Sequence, residues 1–381
     1  MTIDVLAGQE ALRQMRIDDA VSAFGRALAS DPDNVPANLG LYEAFQVKGD
    51  RNTALAHQRR ALERQQLYVE KLAPSGAPTV LLVAIPGDWQ ANVPLEFLFP
   101  NLSVGIKKIF VGEGLPLPAP STIECDVVFN IVAQSEQSGP TLSLLEDWLP
   151  AFRRPILNRP SFVARLSRDG VARDFAGLQH LAVPSTQRVS RPALERSSLP
   201  VVVRPVGSQA GSEFAHIERP DDWEKYLAAT PAAEFYVAPF VDYRAADGFY
   251  RKYRLIFVDG VPFGQHLAIS DRWMVHYYNA LNEREAWIRA EEERFLANVF
   301  SVFDGSRREA LEEIVRRVGL DYFGIDCSVL PDGRVLIFEI DPAMIVHMGD
   351  PIEKYPYKHR YVPRIPAALE AMLRARALGR H

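Results

Sequence analysis

Apolar and small residues recur at helical spacing over roughly the first seventy residues, and the pattern returns after 34 positions. The matching pairs are Ala11 with Phe45, Ala20 with Ala54, Phe24 with Gln58, and Ala27 with Ala61. Small side chains at these positions allow the two helices of a hairpin to approach closely, and Pro32 ends the second helix. The pattern predicts two helical hairpins, followed by a further helix over residues 62–72.

Residues 73–78 are rich in Pro, Gly and Ser, which is typical of a linker, and beyond them strands alternate with helices. Short apolar runs predict buried strands at residues 79–85, 108–111, 126–132 and 155–158, with a helix at 141–152. This order is typical of a small parallel α/β unit. From about residue 161 a mixed α+β pattern begins, in which Asp259-Gly260 and Asp332-Gly333 predict hairpin turns.

These changes predict three domains: helical repeats at residues 1–72, an α/β domain at 79–160 and an α+β domain at 161–381. The 381 residues, 48% of them hydrophobic and 24% charged, are sufficient for several well-packed cores. A net charge of −5 without a basic stripe gives no reason to expect nucleic acid as a partner. No signal peptide or membrane-length apolar run is visible, and Cys125 and Cys327 indicate buried thiols, so we expect a cytoplasmic protein without a membrane partner.

The hairpin around Asp332-Gly333 carries three acids. If this dipeptide forms a two-residue turn, Asp326 lies directly opposite Glu339. Asp341 falls on the same face because side chains alternate along a strand, and its partner, Gly324, leaves open space. The predicted core face holds Ile325, Cys327, Leu336, Phe338 and Ile340.

Like charges facing one another across a hairpin destabilise it, and a divalent cation removes that cost. Oxygen ligands alone suit Mg²⁺ or Mn²⁺ rather than zinc. The acids therefore predict a metal site formed by Asp326, Glu339 and Asp341. The alternative is a solvated outer face on which the acids are tolerated, and a longer turn would shift the register.

At these acids the sequence resembles the ATP-grasp superfamily, particularly its D-alanine–D-alanine ligase-like and ribosomal-protein-glutamylase-like members. The resemblance extends from about residue 79 to residue 350. It implies a pre-ATP-grasp α/β domain and an α+β ATP-grasp domain that binds ATP with two Mg²⁺ ions. Asp326 matches the acid on the penultimate strand, and Glu339 and Asp341 match the following Glu-x-Asn pair, with Asp in place of Asn.

The N-terminal hairpins resemble two tetratricopeptide repeats. Two such repeats rarely bury enough surface to stand alone, so we expect them to dock on the rest of the chain or on a partner. The resemblance implies a peptide or protein partner, and a role in forming a homodimer is equally open.

The resemblance also implies phosphate-binding residues upstream of the acids. Arg204 occupies the position of a family lysine at the end of a strand, and the loop of Gly207, Ser208, Gln209 and Gly211 follows it. Arg173 occupies the position of a second lysine. Arginine keeps the charge and can hold phosphate with two N–H groups.

Residues 234–242 resemble the strand that receives adenine, with Tyr236 and Val237 reading the base through backbone groups and Asp242 near the ribose. The hairpin of residues 251–265 places Lys252 and Arg254 on one face, with Gln265 opposite Arg254. Family members have an arginine here that contacts phosphate or the acyl phosphate, which predicts a catalytic role for Arg254 and Lys252.

The acceptor side of the site departs from the family. Gly324 stands where family ligases often carry an oxyanion-stabilising arginine, and His276, Asn279 and His347 are candidates for the acceptor pocket. The resemblance implies an ATP-dependent carboxylate–amine ligase that forms an acyl phosphate and acts on an amino acid, peptide or protein. Two alternatives stay open: a phosphotransferase on the same fold, and a non-catalytic scaffold.

Overall fold

The computed structural model describes residues 2–95, 98, 102–196, 198–208, 211–275, 282 and 285–379, and its first four elements are helices. They are α1 (Ile3–Arg13), α2 (Ile17–Ser30), α3 (Val35–Val47) and α4 (Arg51–Arg64), as the repeat pattern predicts. Phe24 of α2 is fully buried at the centre of this region. The ring fits because Gly8 and Gly40 have no side chains. A Cβ atom would lie only 2.6 Å from the ring at Gly8 and 2.2 Å from it at Gly40.

A five-stranded sheet follows. Its strands are β1 (Leu67–Lys71), β2 (Thr79–Ala84), β3 (Gly105–Phe110), β4 (Val127–Asn130) and β5 (Ile156–Leu157), in the order β1-β3-β2-β4-β5. Strands β2 to β5 are parallel and α5 (Gly139–Trp148) lies between β4 and β5, so the predicted α/β unit is confirmed.

Strand β1 corrects the prediction of a helix over residues 62–72. Helix α4 ends at Arg64, and after two residues the chain pairs antiparallel with β3. Tyr68 of this strand packs edge-on against Phe110, with ring centroids 6.1 Å apart. Pairing with an open sheet edge therefore overrides the helical tendency that the sequence suggested.

The helical region docks on the loop that follows β2. The Tyr42 hydroxyl donates to the Gly87 carbonyl at 2.8 Å, and the Gly87 N–H donates to the Gln58 side chain at 2.9 Å. Arg51 pairs with Asp88 at 2.8 Å. The helices therefore rest on the remainder of the chain, in agreement with the expectation from their small number.

The rest of the chain forms two further sheets and their helices. The elements are α6 (Pro160–Ala164), α7 (Arg168–Asp174), β6 (Leu181–Ala182), β7 (Gln187–Ser190), β8 (Val201–Pro205), β9 (Ala215–Ile217), α8 (Pro220–Ala229), β10 (Glu234–Pro239), β11 (Tyr250–Val258), β12 (Val261–Ser270), α9 (Ala286–Ala297), α10 (Ser306–Val318), β13 (Tyr322–Val329), β14 (Val335–Asp341), α11 (Pro356–Tyr361) and α12 (Arg364–Ala377). One sheet has the order β7-β10-β8-β9, and the other has the order β12-β11-β13-β14-β6.

The two predicted hairpin turns differ from each other. Val258 pairs with Val261, so Asp259-Gly260 forms the two-residue turn that the dipeptide predicts. The second turn is one residue longer, because the Leu330 N–H donates to the Arg334 carbonyl. A bulge before Glu339 compensates for the extra residue, and the predicted pairing of Asp326 with Glu339 is restored.

The longer turn changes which side chains face the core. Ile325, Cys327 and Ile340 belong to the main core, as predicted. Leu336 and Phe338 instead pack in a separate cluster around Tyr243, so their predicted placement is wrong. Both cysteines are buried free thiols, in agreement with the sequence. No helix within the described ranges is long and apolar enough to cross a membrane.

Candidate functional site

Four ionisable side chains occupy neighbouring positions across the strands β14, β13, β11 and β12. Glu339 pairs with Asp326, Asp326 with Arg254, and Arg254 with His266. Because directly paired residues of adjacent strands point to the same face, all four share one face of the sheet. We call these four residues the cross-strand row. The sequence predicted its first three members and missed His266.

Asp326 is the most tightly held acid of the row. Its carboxylate accepts two hydrogen bonds from Arg254, at 2.7 and 2.9 Å, and lies 3.2 Å from the Lys252 ammonium. Burial by itself raises the pKa of Asp326, but the charges of Arg254 and Lys252 outweigh it and hold the pKa well below its usual range. The structure therefore brings Arg254 and Lys252 together with the first predicted metal ligand.

Glu339 is paired with an arginine that the sequence argument did not select. Arg168, the first residue of α7, donates to Glu339 at 2.5 Å. Arg173, which the sequence predicted for phosphate binding, lies in the last turn of the same helix, with its side chain 69% exposed and 3.6 Å from Asp174. The structure thus brings Arg168, and not Arg173, to the cross-strand row. The sequence signal that could have identified Arg168 is its position at the start of the helix, directly after the capping residue Ser167.

Asp341 lies beyond Glu339 on the same strand and accepts a hydrogen bond of 2.7 Å from the Ala343 N–H. Burial and the neighbouring Glu339 charge raise the pKa of Asp341 to about 7. Its partner position is Gly324, as predicted. The open space predicted there is absent, because a Cβ on Gly324 would meet the Met344 side chain at 2.7 Å.

The hairpin of β11 and β12 corrects one pairing. Gln265 was predicted opposite Arg254. A bulge instead leaves Gln265 without a paired residue on β11 and places His266 opposite Arg254. The two-residue turn at Asp259-Gly260 sets the register as far as Leu255, and the bulge between Leu255 and Arg254 then shifts it by one residue. Lys252 and Arg254 keep the shared face that the sequence predicted, since both reach Asp326.

The other sheet presents Arg204 at the end of β8. Its side chain is buried and donates to the carbonyl of Ser208 and, at 3.0 Å, to the Ser208 hydroxyl. Burial and the charge of nearby Arg168 lower its pKa to about 10. Gly207 and Gly211 both have positive φ, at 80° and 74°, so the loop needs glycine at these points. Gln209 lies outside the described residues.

The predicted adenine strand, β10, pairs with both β7 and β8. Tyr236 lies beside Arg204, and its hydroxyl donates to Glu136 at 2.8 Å. Val237 is buried in the core of this sheet. Asp242 is exposed and accepts a hydrogen bond of 3.0 Å from the Arg244 N–H, which gives it a turn-stabilising contact.

The charges around the three acids cancel. Asp326 is neutralised by Arg254 and Lys252, and Glu339 by Arg168. Within the part of the chain that the structure describes, no group of three or more His, Cys, Asp or Glu is arranged to hold a metal ion. The donor set itself, carboxylate oxygens on adjacent strand positions, suits Mg²⁺ or Mn²⁺ once the basic side chains turn to another anion.

A buried polar cluster adjoins the His266 end of the row. Glu292 of α9 is fully buried and receives hydrogen bonds from several groups. These are His266 at 2.6 Å, Tyr357 at 2.6 Å, Asn282 at 3.1 Å and the Leu267 N–H at 3.2 Å. Lys358 lies 3.4 Å from Glu292 and 3.1 Å from Asp350. No local sequence pattern indicates this cluster, because its members come from separate segments of the chain.

His347 was a candidate for the acceptor pocket. It is half-buried, and burial lowers its pKa, with smaller contributions from Lys358 and Arg254. It therefore lies within electrostatic range of the cross-strand row. His276 and Asn279, the other two candidates, fall outside the described residues.

Comparison with known proteins identifies the fold. No family model and no curated protein matches the sequence. The structure is similar to the D-alanine–D-alanine ligase from Bacillus anthracis, with a TM-score of 0.51, 12% identity, and coverage of 80% of this chain and 100% of that one. The same enzyme complexed with ATP matches with a TM-score of 0.48, 11% identity and the same coverage.

A RimK domain protein ATP-grasp from Sphaerobacter thermophilus DSM 20745 also matches, with a TM-score of 0.42 and 15% identity over 77% of this chain and 99% of that one. The chain therefore has a four-helix N-terminal region followed by α/β and α+β sheets, and it shares the fold of the Bacillus anthracis D-alanine–D-alanine ligase.

Proposed function

We propose that this protein is an ATP-dependent carboxylate–amine ligase that acts through an acyl phosphate. The observation that carries the proposal is the cross-strand row, in which two acids and an arginine stand side by side on a sheet of the ATP-grasp fold. The ATP-bound ligase that matches in fold supports ATP as the nucleotide. The substrates are a small-molecule, peptide or protein carboxylate and an amine.

The acids Asp326, Glu339 and Asp341 would hold Mg²⁺, or Mn²⁺, in the working enzyme. When bound, the metal neutralises charge on the β- and γ-phosphates. Arg254, Lys252 and Arg168, which now neutralise the acids, would then be available to face phosphate oxygens. The net charge of the site changes little in this exchange, which lowers the electrostatic cost of binding so highly charged a nucleotide.

We assign the nucleotide to the space between the two sheets that carry Arg204 and Arg254. Arg204 would contact the phosphates after leaving Ser208, and the loop at Gly207 and Gly211 would cover them and exclude water. The backbone of Tyr236 and Val237 is taken up by pairing with β7 and β8, so the adenine-reading role predicted for these two residues is not part of this proposal, and Asp242 would serve the ribose.

The reaction has two steps. A carboxylate oxygen attacks the γ-phosphorus, the bond to the β–γ bridging oxygen breaks, and ADP leaves. The amine nitrogen then attacks the acyl carbon, the bond from that carbon to the phosphate oxygen breaks, and phosphate leaves with the electron pair. Arg254 and Lys252 stabilise the charge that develops on the transferred phosphoryl group and on the acyl phosphate.

For the helical region we propose a pair of tetratricopeptide-type repeats that hold a peptide segment of the substrate or a second copy of the chain. The packing of Phe24 against Gly8 and Gly40 supports a tight two-hairpin unit. Its docking beside Gly87 and Asp88 brings it to the end of β2, where ligands of open α/β sheets commonly bind.

The test is an incubation of purified protein with ATP, Mg²⁺ and a pool of amino acids and peptides, followed by assays for ADP, AMP and phosphate. We expect ADP and free phosphate that depend on the pool and disappear in Asp326→Asn. ADP accompanied by a phosphorylated product, without free phosphate, would favour a phosphotransferase. If no ADP, AMP or phosphate forms and ATP does not shift the unfolding temperature, a non-catalytic scaffold is favoured.

A further inference from the structure

We infer that His266 is the base that takes a proton from the incoming amine, and that Glu292 orients it for this task. The inference rests on the proposed ligase function and adds a catalytic residue for the step that joins the amine. It starts from the position of His266, which pairs directly with Arg254 and so shares the face that carries Asp326 and Glu339.

The contact with Glu292 fixes the tautomer of the imidazole. Nδ1 of His266 lies 2.6 Å from the Glu292 carboxylate, so this nitrogen carries the proton and donates it. Nε2 is then the acceptor nitrogen of the ring. A histidine held by a buried carboxylate through Nδ1 is the arrangement that general bases use in unrelated enzymes.

Burial and the charges around the ring keep it unprotonated, so it is available to accept a proton. Burial lowers the pKa of His266, and Lys358 and Arg254 lower it further, while Glu292 opposes them. Among the groups that surround it, Lys358 lies 3.3 Å from Nδ1, and the Tyr357 hydroxyl binds the second oxygen of Glu292. Asp350 neutralises Lys358 from the other side, at 3.1 Å.

The chemistry requires such a group. An amine arrives as an ammonium ion, which has no lone pair and cannot attack the acyl phosphate. Transfer of one proton from the ammonium to His266 gives the free amine, which forms the C–N bond as the phosphate leaves. The nitrogen gives its second proton to the departing phosphate once the C–N bond has formed. A positioned base typically contributes a hundred- to ten-thousand-fold to such a step.

Hydroxylamine separates the two halves of the reaction. It is unprotonated at neutral pH, so it traps an acyl phosphate as a hydroxamate without help from a base. We would measure hydroxamate and amide formation with the amino-acid and peptide pool in wild-type protein, His266→Gln, Glu292→Gln and Tyr357→Phe. Tyr357→Phe is the matched control, because it removes one hydrogen bond to Glu292 and leaves the contact between Glu292 and His266 in place.

We expect His266→Gln to lose amide formation by about a hundred-fold or more while keeping hydroxamate formation, which also shows that the variant is folded. Glu292→Gln should also lose amide formation and keep hydroxamate formation, with a smaller loss than His266→Gln. Tyr357→Phe should form both products. In wild type, amide formation should fall as the pH decreases and the imidazole becomes protonated, and His266→Gln should lack that limb.

The outcomes that overturn the inference are separable from those that overturn the proposed function. Normal amide formation by His266→Gln, or an equal loss of hydroxamate and amide, would exclude His266 as the base. If wild-type protein forms no hydroxamate with any carboxylate of the pool, the ligase proposal itself fails.

Discussion

Arg254 and Asp326 face each other across β11 and β13 and are joined by two hydrogen bonds, of 2.7 and 2.9 Å. Bidentate pairs of this kind fix both side chains in one orientation. The pair occupies the centre of the cross-strand row, between Glu339 and His266. A substitution of either residue is therefore expected to affect both the predicted metal ligands and His266.

Replacing Arg254 with methionine should lower ATP turnover by about a hundred- to a thousand-fold, because one charge that stabilises the transferred phosphoryl group is lost. It should also lower the free energy of unfolding by about 3 kcal/mol, since Asp326 remains buried with Lys252 as its remaining partner. Steady-state kinetics and urea unfolding measure the two effects.

Arg251→Met provides the matched control for this change. Arg251 is the neighbour of Lys252 on the opposite face, where it pairs with Asp247 and Glu291. Its loss should reduce stability and leave turnover near the wild-type value. Equal losses of turnover in the two variants would contradict a specific role for Arg254.

Arg168 and Arg173 allow a second comparison within one helix. Arg168→Met removes the partner of Glu339 and should weaken ATP binding by about ten- to a hundred-fold, the range of one hydrogen bond to a charged group. Arg173→Met changes an exposed side chain and should leave the dissociation constant within about two-fold. Calorimetric titration with ATP and Mg²⁺ measures both dissociation constants. A larger loss of affinity in Arg173→Met than in Arg168→Met would support the assignment of Arg173 made from the sequence.

Asp341 predicts a dependence of stability on pH. Its pKa is about 7 in the folded protein and about 4 in an unfolded chain, so the folded state holds a proton that the unfolded state releases. Stability without metal therefore declines as the pH rises from about 4 to about 7 and stays reduced above that range. Asp341→Asn removes this cost and keeps an oxygen that accepts from the Ala343 N–H.

The expected result is that metal-free Asp341→Asn unfolds at a higher temperature than wild type at pH 8, with a smaller difference at pH 5. Added Mg²⁺ should stabilise wild type more than the variant, because the metal favours the charged carboxylate. Thermal unfolding at the two pH values, with chelator or with Mg²⁺, tests both statements. If Asp341→Asn unfolds at the same temperature as wild type at pH 8, the pKa of Asp341 is not raised in the folded protein.

Gly40 tests the packing of the helical region. A methyl group at Gly40 would lie 2.2 Å from the buried Phe24 ring, so Gly40→Ala should lower the stability of the helices by about 1–3 kcal/mol. Gly25→Ala, on α2, has open space and should stabilise by up to about 1 kcal/mol. Circular dichroism during thermal unfolding compares the two. A stabilising Gly40→Ala would indicate that Phe24 is not confined as described.

The register of the acidic hairpin shows how far the sequence can lead. The pairing of Asp326 with Glu339 was predicted from a two-residue turn, and the pairing is confirmed although the turn is one residue longer. The bulge that restores the register falls at Phe338, whose ring packs against Tyr243 from a distant segment. Alternation alone therefore placed the acids correctly and the apolar residues around Leu336 incorrectly.

The residues that the sequence missed share a physical cause. His266 reaches the cross-strand row through a bulge at Gln265, and Arg168 reaches it through the start of a short helix. Glu292 and Lys358 meet His266 only after separate segments have folded together. Periodicity reports which face a residue occupies within one element, whereas these positions depend on how elements pack against each other.

The connection between α4 and β1 consists of Gln65 and Gln66 alone. A helical unit joined by two residues, and fastened by Arg51 to Asp88, is an extension of the α/β sheet rather than a module on a flexible tether. A segment bound by these helices would be presented at one fixed offset from the sheet. The effective concentration of its reacting group at the site would then depend on this fixed distance and not on the motion of a flexible linker. Substrates would be selected by the length between the bound segment and the reacting group.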